Sequence, residues 1–107
     1  MTNITVYGTG DTYTGIRIEG HAGYADAGED IVCAGISVLA INFINSVETF
    51  TDDKFVVHAD ENDGVIDFRF TSIFSEKSQL LMKSLVLGLS DLQKENKDFI
   101  SLDYKEV

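Results

Sequence analysis

The stretch that decides the architecture is Phe55-Val56-Val57-His58-Ala59-Asp60-Glu61-Asn62-Asp63-Gly64-Val65-Ile66-Asp67-Phe68-Arg69-Phe70. Phe55, Val57 and Ala59 share one face of an alternating run, and Ile66, Phe68 and Phe70 share one face of a second, so two strands are predicted. Asn62-Asp63-Gly64 supplies turn chemistry between them, which makes the pair an antiparallel hairpin. Upstream, Val32, Ile36, Leu39, Phe43, Val47 and Phe50 recur at three- and four-residue steps, predicting one helix over Ile31 to Phe50. Ile31, Ala34, Val38 and Ile41 give this helix a second apolar face, so it is expected to be covered twice, the second time by another subunit. Downstream, Ser75 is a candidate N-cap for a helix running to about Glu95, with Leu81, Met82, Leu85, Val86, Leu89 and Leu92 as its apolar set. Further out, Ile4 to Tyr7 and Tyr13 to Glu19 form a second hairpin around Gly8-Thr9-Gly10-Asp11, and Ile100 to Tyr104 is a last short strand. The expected fold is α/β: a small ββαββαβ sandwich with a mixed, mostly antiparallel sheet and two helices.

Length and composition bound the function. One domain spanning residues 1–107 is expected from 107 residues, and a 44% apolar share is enough for a core. No run approaches the roughly 18 apolar residues of a membrane span, and Met1-Thr2-Asn3-Ile4 lacks a signal-peptide layout, so no membrane partner and a cytoplasmic location are expected. Eight basic residues against eighteen acidic ones give a net charge of −10. Direct nucleic-acid binding is therefore not expected, because a phosphate-binding surface needs clustered Lys and Arg. The sign favours a basic partner or substrate, solubility alone being the plainer account. A single cysteine excludes an internal disulfide framework and a Cys-based zinc cluster.

The residues with most chemical potential are His21, Asp30 and Cys33. With Asp30 as helix N-cap, Cys33 is expected in the first turn, where unpaired N–H groups and the helix dipole favour a thiolate and can hold an oxyanion. The alternative is a small buried hydrophobe between Val32 and Ala34. His21 lies in a glycine- and alanine-rich segment, residues 20–29, expected to be a mobile loop that brings an imidazole back to the thiol. A loop histidine bonded to backbone is the plain alternative. Ser37, at i+4 from Cys33, either bonds near the thiol or satisfies a helix carbonyl. Elsewhere the signals fail. The Asp60–Gly64 acids miss the register of a calcium loop, no dinucleotide or P-loop pattern follows Gly8-Thr9-Gly10, and there is no Gly-x-Ser-x-Gly. His58 reads as a surface histidine. No metal and no cofactor are expected.

Gly20-His21-Ala22, followed by Gly28-Glu29-Asp30-Ile31-Val32-Cys33-Ala34-Gly35-Ile36-Ser37, resembles the signature of the ribosomal-processing cysteine proteases called Prp. The resemblance implies a small homodimeric endopeptidase that removes the N-terminal extension of a large-subunit ribosomal protein, cleaving after a pair of phenylalanines and before a small residue. It implies Cys33 as nucleophile and His21 as general base and acid. Asp30 and Ser37 would support them, and a substrate loop including Gly20, Ala22, Gly23, Tyr24 and Gly28 would order over the peptide. Tyr24 and Ile36 are candidates for the pocket that takes the phenylalanines. The competing expectation is a non-catalytic ribosome-assembly adaptor that binds a basic partner through its acidic surface.

Overall fold

The structure, a computed structural model, describes residues 1–20, 27–60 and 62–107, with side chains in the first helix described from Ile31 onward. The elements follow the expected order: β1 (Thr2–Thr9), β2 (Thr12–Gly20), α1 (Ala27–Phe50), β3 (Phe55–Asp60), β4 (Val65–Phe70), α2 (Glu76–Glu95) and β5 (Ile100–Glu106). The five strands form one sheet in the order β3-β4-β2-β1-β5. β1–β2, β2–β4 and β3–β4 are antiparallel, and β1–β5 is parallel. The sheet is therefore mixed and mostly antiparallel, as the two hairpins require.

Both helices lie on one face of the sheet. Ile4 and Val6 of β1, Ile16 and Ile18 of β2 and Phe68 of β4 point into a core shared with Val32, Ile36, Ala40, Phe43 and Val47 of α1 and Met82, Leu85, Val86 and Leu89 of α2. Phe68 is the centre of an aromatic cluster, with Phe43, Phe55 and Phe70 at 4.8, 5.0 and 4.9 Å between ring centroids. The opposite face stays open to solvent and carries Asp67 between Arg17 and Arg69, each 2.9 Å away. His58 is exposed, as its alternation predicts, and the register places it opposite Asp67.

Four expectations need correction. The glycine-rich segment is shorter than residues 20–29. Gly20 is the last residue of β2, paired with Thr2 and donating its N–H to the Gly64 carbonyl at 3.0 Å. That carbonyl belongs to a glycine with φ 65°, the left-handed conformation that closes the β3–β4 turn. Gly28 lies in the first turn of α1, because the helix begins at Ala27 and not after Asp30. Ala is the strongest helix former, and Glu29 and Asp30 suit the positive end of the dipole, so the start moves back along the chain. Third, the first turn is tighter than expected. β1 continues to Thr9 across an irregularity between Tyr7 and Gly8, leaving Gly10 and Asp11 as the turn. Fourth, α1 from Ile31 to Phe50 is 20 residues long and apolar enough to cross a membrane by length and composition. It does so without an unbroken apolar run, and its inner side belongs to the core described above.

α2 starts as expected. The Ser75 hydroxyl caps it by accepting from the Ser78 N–H, Lys94 occupies the last turn, and Asn96 closes the helix.

Candidate active site

α1 presents Cys33 toward the N-terminal end of β1. The side chain is half-buried. Its Sγ lies 3.4 Å from Oγ1 of Thr2, a residue only 4% exposed, and either atom can donate. Thr2 reaches this position because β1 and β2 pair Thr2 with Gly20, which brings the end of β2 and the thiol to one place. A Cβ on Gly20 would stand 2.6 Å from Thr2 Oγ1, so only glycine fits that approach.

The corrected helix start changes the electrostatics expected around the sulfur. Cys33 is the seventh residue of α1. The unpaired N–H groups and most of the dipole's effect belong to the first turn, before it. The helix end therefore does not supply the oxyanion donors expected from an Asp30 cap.

Cys33 and Ser37 stand on one wall of a cavity of about 800 Å³ between α1 and the β3–β4 hairpin. Ile36, Ile41 and Ile44 continue the helix wall, and Val57, Ala59, Val65 and Ile66 form the hairpin wall. The lining is largely aliphatic, with Asp60 and Asn62 at the turn end. Such a space takes apolar side chains, and it takes them beside a thiol. Ile36, expected in the pocket for the phenylalanines, lines this cavity while most of its surface is buried in the core. Ser37 lines the cavity and is exposed, so it is free to meet a ligand. His21, Ala22, Gly23 and Tyr24 lie outside the described residues, as does the side chain of Asp30, and of Gly28 only its place in the first turn of α1 is described, so the roles expected of these residues lie outside the described structure. Among the described residues, no group of three or more His, Cys, Asp or Glu could hold a metal ion.

Sequence reasoning missed Thr2, Val57, Ala59 and Ile44. Ile44 falls between the two apolar faces read off the helix. The other three reach the site only through strand pairing, for which no local pattern gives a signal.

Compared with known proteins, the chain matches the family model described as cysteine protease Prp over residues 1–101. It is 29% identical over 103 residues to the ribosomal processing cysteine protease Prp of Staphylococcus aureus (strain NCTC 8325 / PS 47), covering 96% of each chain. Among solved structures, SMU.848 from Streptococcus mutans is 29% identical with a TM-score of 0.88, over 100% of this chain and 96% of that one. The essential ribosomal processing protease Prp from S. aureus, in complex with a covalently linked product peptide, is 25% identical with a TM-score of 0.87, over 98% of this chain and 100% of that one. With the fold, the thiol and the match over nearly its whole length in agreement, this chain belongs to the cysteine protease Prp family.

Proposed function

We propose that this protein is an endopeptidase that trims the N-terminal extension of a large-subunit ribosomal protein, cutting after a Phe-Phe pair and before a small residue. The observation that carries the proposal is the placement of Cys33 on the wall of an aliphatic cavity of about 800 Å³, large enough for aromatic side chains. The S. aureus relative that is named as a ribosomal processing protease, and that holds a covalently linked product peptide, supports the same reading. Cys33 is the nucleophile and His21 the proton shuttle. The Cys33 sulfur attacks the scissile carbonyl carbon, and the thiol proton passes to His21. The C–N bond breaks as His21 returns that proton to the leaving amine, which becomes the new N-terminus. The extension remains as a thioester on Cys33. Water, deprotonated by His21, attacks it and releases the extension as a carboxylate, restoring the thiol. Asp30 and Ser37 support the dyad, and the segment from Gly20 to Gly28 closes over the peptide.

The net charge of −10 suits a basic ribosomal protein as substrate more than nucleic acid or an anionic membrane. Cytoplasmic residence follows from that substrate. A homodimer is supported by the outer face of α1, where Ile31 and Val38 are 73% and 67% exposed. Light scattering is expected to return about twice the 11.8 kDa chain mass; a stable monomer at micromolar concentration removes this part of the proposal.

Mass spectrometry of an extension peptide containing Phe-Phe-Ala tests the activity. The wild-type chain is expected to cut after the second phenylalanine, and Cys33→Ala and His21→Ala to leave the peptide whole. Peptide bound but uncut by all three would place the protein with non-catalytic adaptors.

A further inference from the structure

The sheet has two edges, and they are built differently. β5 carries Asp103, Lys105 and Glu106, charges of the kind that discourage a further strand. β3 carries no Asp, Glu, Lys or Arg from Phe55 through Ala59, and Val56 and Val57 are exposed. Hydrogen bonds fix which β3 residues turn outward. The Thr71 N–H donates to the Lys54 carbonyl at 3.0 Å, and the Gly20 N–H donates to the Gly64 carbonyl at 3.0 Å. Bonded pairs alternate in an antiparallel ladder. Continued along the registers, both bonds give one answer: Val56, His58 and Asp60 bond to β4, and Phe55, Val57 and Ala59 direct their backbone N–H and C=O groups to the open side. Val57 and Ala59 also line the cavity beside Cys33, together with Asp60 at the end of the strand.

Building on the peptidase reading, we infer that the free edge of β3 is the strand on which the substrate chain is held. An extended peptide pairs with the outward groups of Val57 and Ala59 as a sixth strand. Alternate side chains of that peptide point to the helix side of the sheet, toward the mouth of the aliphatic cavity. Cys33, beside Thr2 of β1, lies three strands in from this edge, so the residues that pair with β3 flank the scissile bond and are not the ones cut. The occupant is a basic, phenylalanine-containing segment. The hairpin turn at the end of the strand carries Asp60 and Asp63 and no basic residue, which suits a positively charged flank. The division of labour is then clear: β3 backbone fixes register, and the cavity selects side chains.

The test uses the full chain carrying Cys33→Ala, so that peptide is held and not turned over, and reads the polarisation of a fluorescent Phe-Phe-Ala peptide. Adding Val57→Pro removes an outward N–H and spares the ladder to β4, the position where an edge strand tolerates proline. The expected result is an affinity loss of about tenfold, with melting temperature and oligomeric state unchanged. A set of peptides N-methylated at one residue at a time probes the same bonds without altering the protein. It is expected to show losses at every second residue. Equal affinity for the Val57→Pro chain, or a flat N-methyl profile, overturns the inference. Dissociation of a dimer by Val57→Pro with peptide affinity intact also overturns it, since the edge then belongs to a second copy. Failure of the wild-type chain to cleave, with the alternating profile preserved, would refute the peptidase reading and leave the edge assignment standing.

Discussion

The two ends of α1 are held in opposite ways. At its C-terminal end, Asp53 gathers polar groups from three directions. It accepts from the Ser75 N–H at 3.0 Å, from the Ser75 hydroxyl at 2.6 Å and from the Ser78 hydroxyl. Thr51 Oγ1 donates to the Val47 carbonyl at 2.7 Å and accepts from Ser78 at 3.4 Å. This knot ties the exit of α1 to the start of α2, and Ser78 within it is fully buried. At the other end, among the described residues, Cys33 has one hydroxyl neighbour and an aliphatic cavity. One end is saturated with hydrogen bonds and rigid. Among the described residues, the other borders open space that a peptide can enter. A fold that holds its helix firmly at one end can leave space at the other without losing the position of the thiol.

Removing the knot should break this contrast most. Asp53→Ala is expected to cost about 3 kcal/mol, because it leaves the buried Ser78 hydroxyl with only the long bond to Thr51 Oγ1 at 3.4 Å and weakens the α2 cap together; urea unfolding measures it, and a loss below about 1 kcal/mol would mean that the knot is ornamental. Next in size comes Val47→Ala. Val47 is 0% exposed, and the substitution should cost about 2 kcal/mol. Its counterpart Ile44→Ala, on the cavity wall one turn earlier, should cost under about 1 kcal/mol, since that side chain already faces space. Equal losses at the two positions would show that the cavity closes in solution.

Acid should weaken the two ends unequally. Hydrogen bonds from Ser75, then Ser78, hold the Asp53 carboxyl below its ordinary value of 3.8. Unfolded, the group returns to that value and binds protons more readily than when folded, so stability rises with pH in this range. The contribution is complete above the unfolded value and is lost as pH falls through the folded one. Thermal melts from about pH 5 to pH 3 should therefore fall less steeply for Asp53→Asn than for the parent. The smallest stability change is expected for Ala59→Phe, within about 0.5 kcal/mol, because the ring enters existing space. It should nonetheless weaken peptide binding, and an unaltered affinity in a calorimeter would separate the cavity from the substrate.

What could be read from residues alone follows the range of the interaction that fixes it. The Asn62-Asp63-Gly64 turn and the Ser75 cap are local, and both are where the sequence put them. The start of α1 was misplaced because aspartate serves equally as a cap and as a first-turn residue at the positive end of the dipole, so Asp30 gave no way to choose. Gly20 read as loop because its small size was taken for looseness, whereas it marks a close crossing of strands. Thr2 beside Cys33 was not legible, since the contact joins residues 31 positions apart through sheet pairing. The pairing of Cys33 with His21 came from a motif, and its geometry falls among residues not described here.

The parallel pairing of β1 with β5 has a consequence for how the molecule comes into being. β1 lies between β2 and β5, and Thr2, the neighbour of the thiol, stands opposite Ile100. Ser101 donates to Asn3 and Thr9 donates to the Val107 carbonyl, each across 98 residues of chain. During synthesis β1 waits with one side unpaired until β5, on the far side of both helices in the chain, has been made. The strand that abuts the thiol is thus secured last, and a nascent chain still tethered to its ribosome carries an incomplete protease at the place where its proposed substrates are assembled.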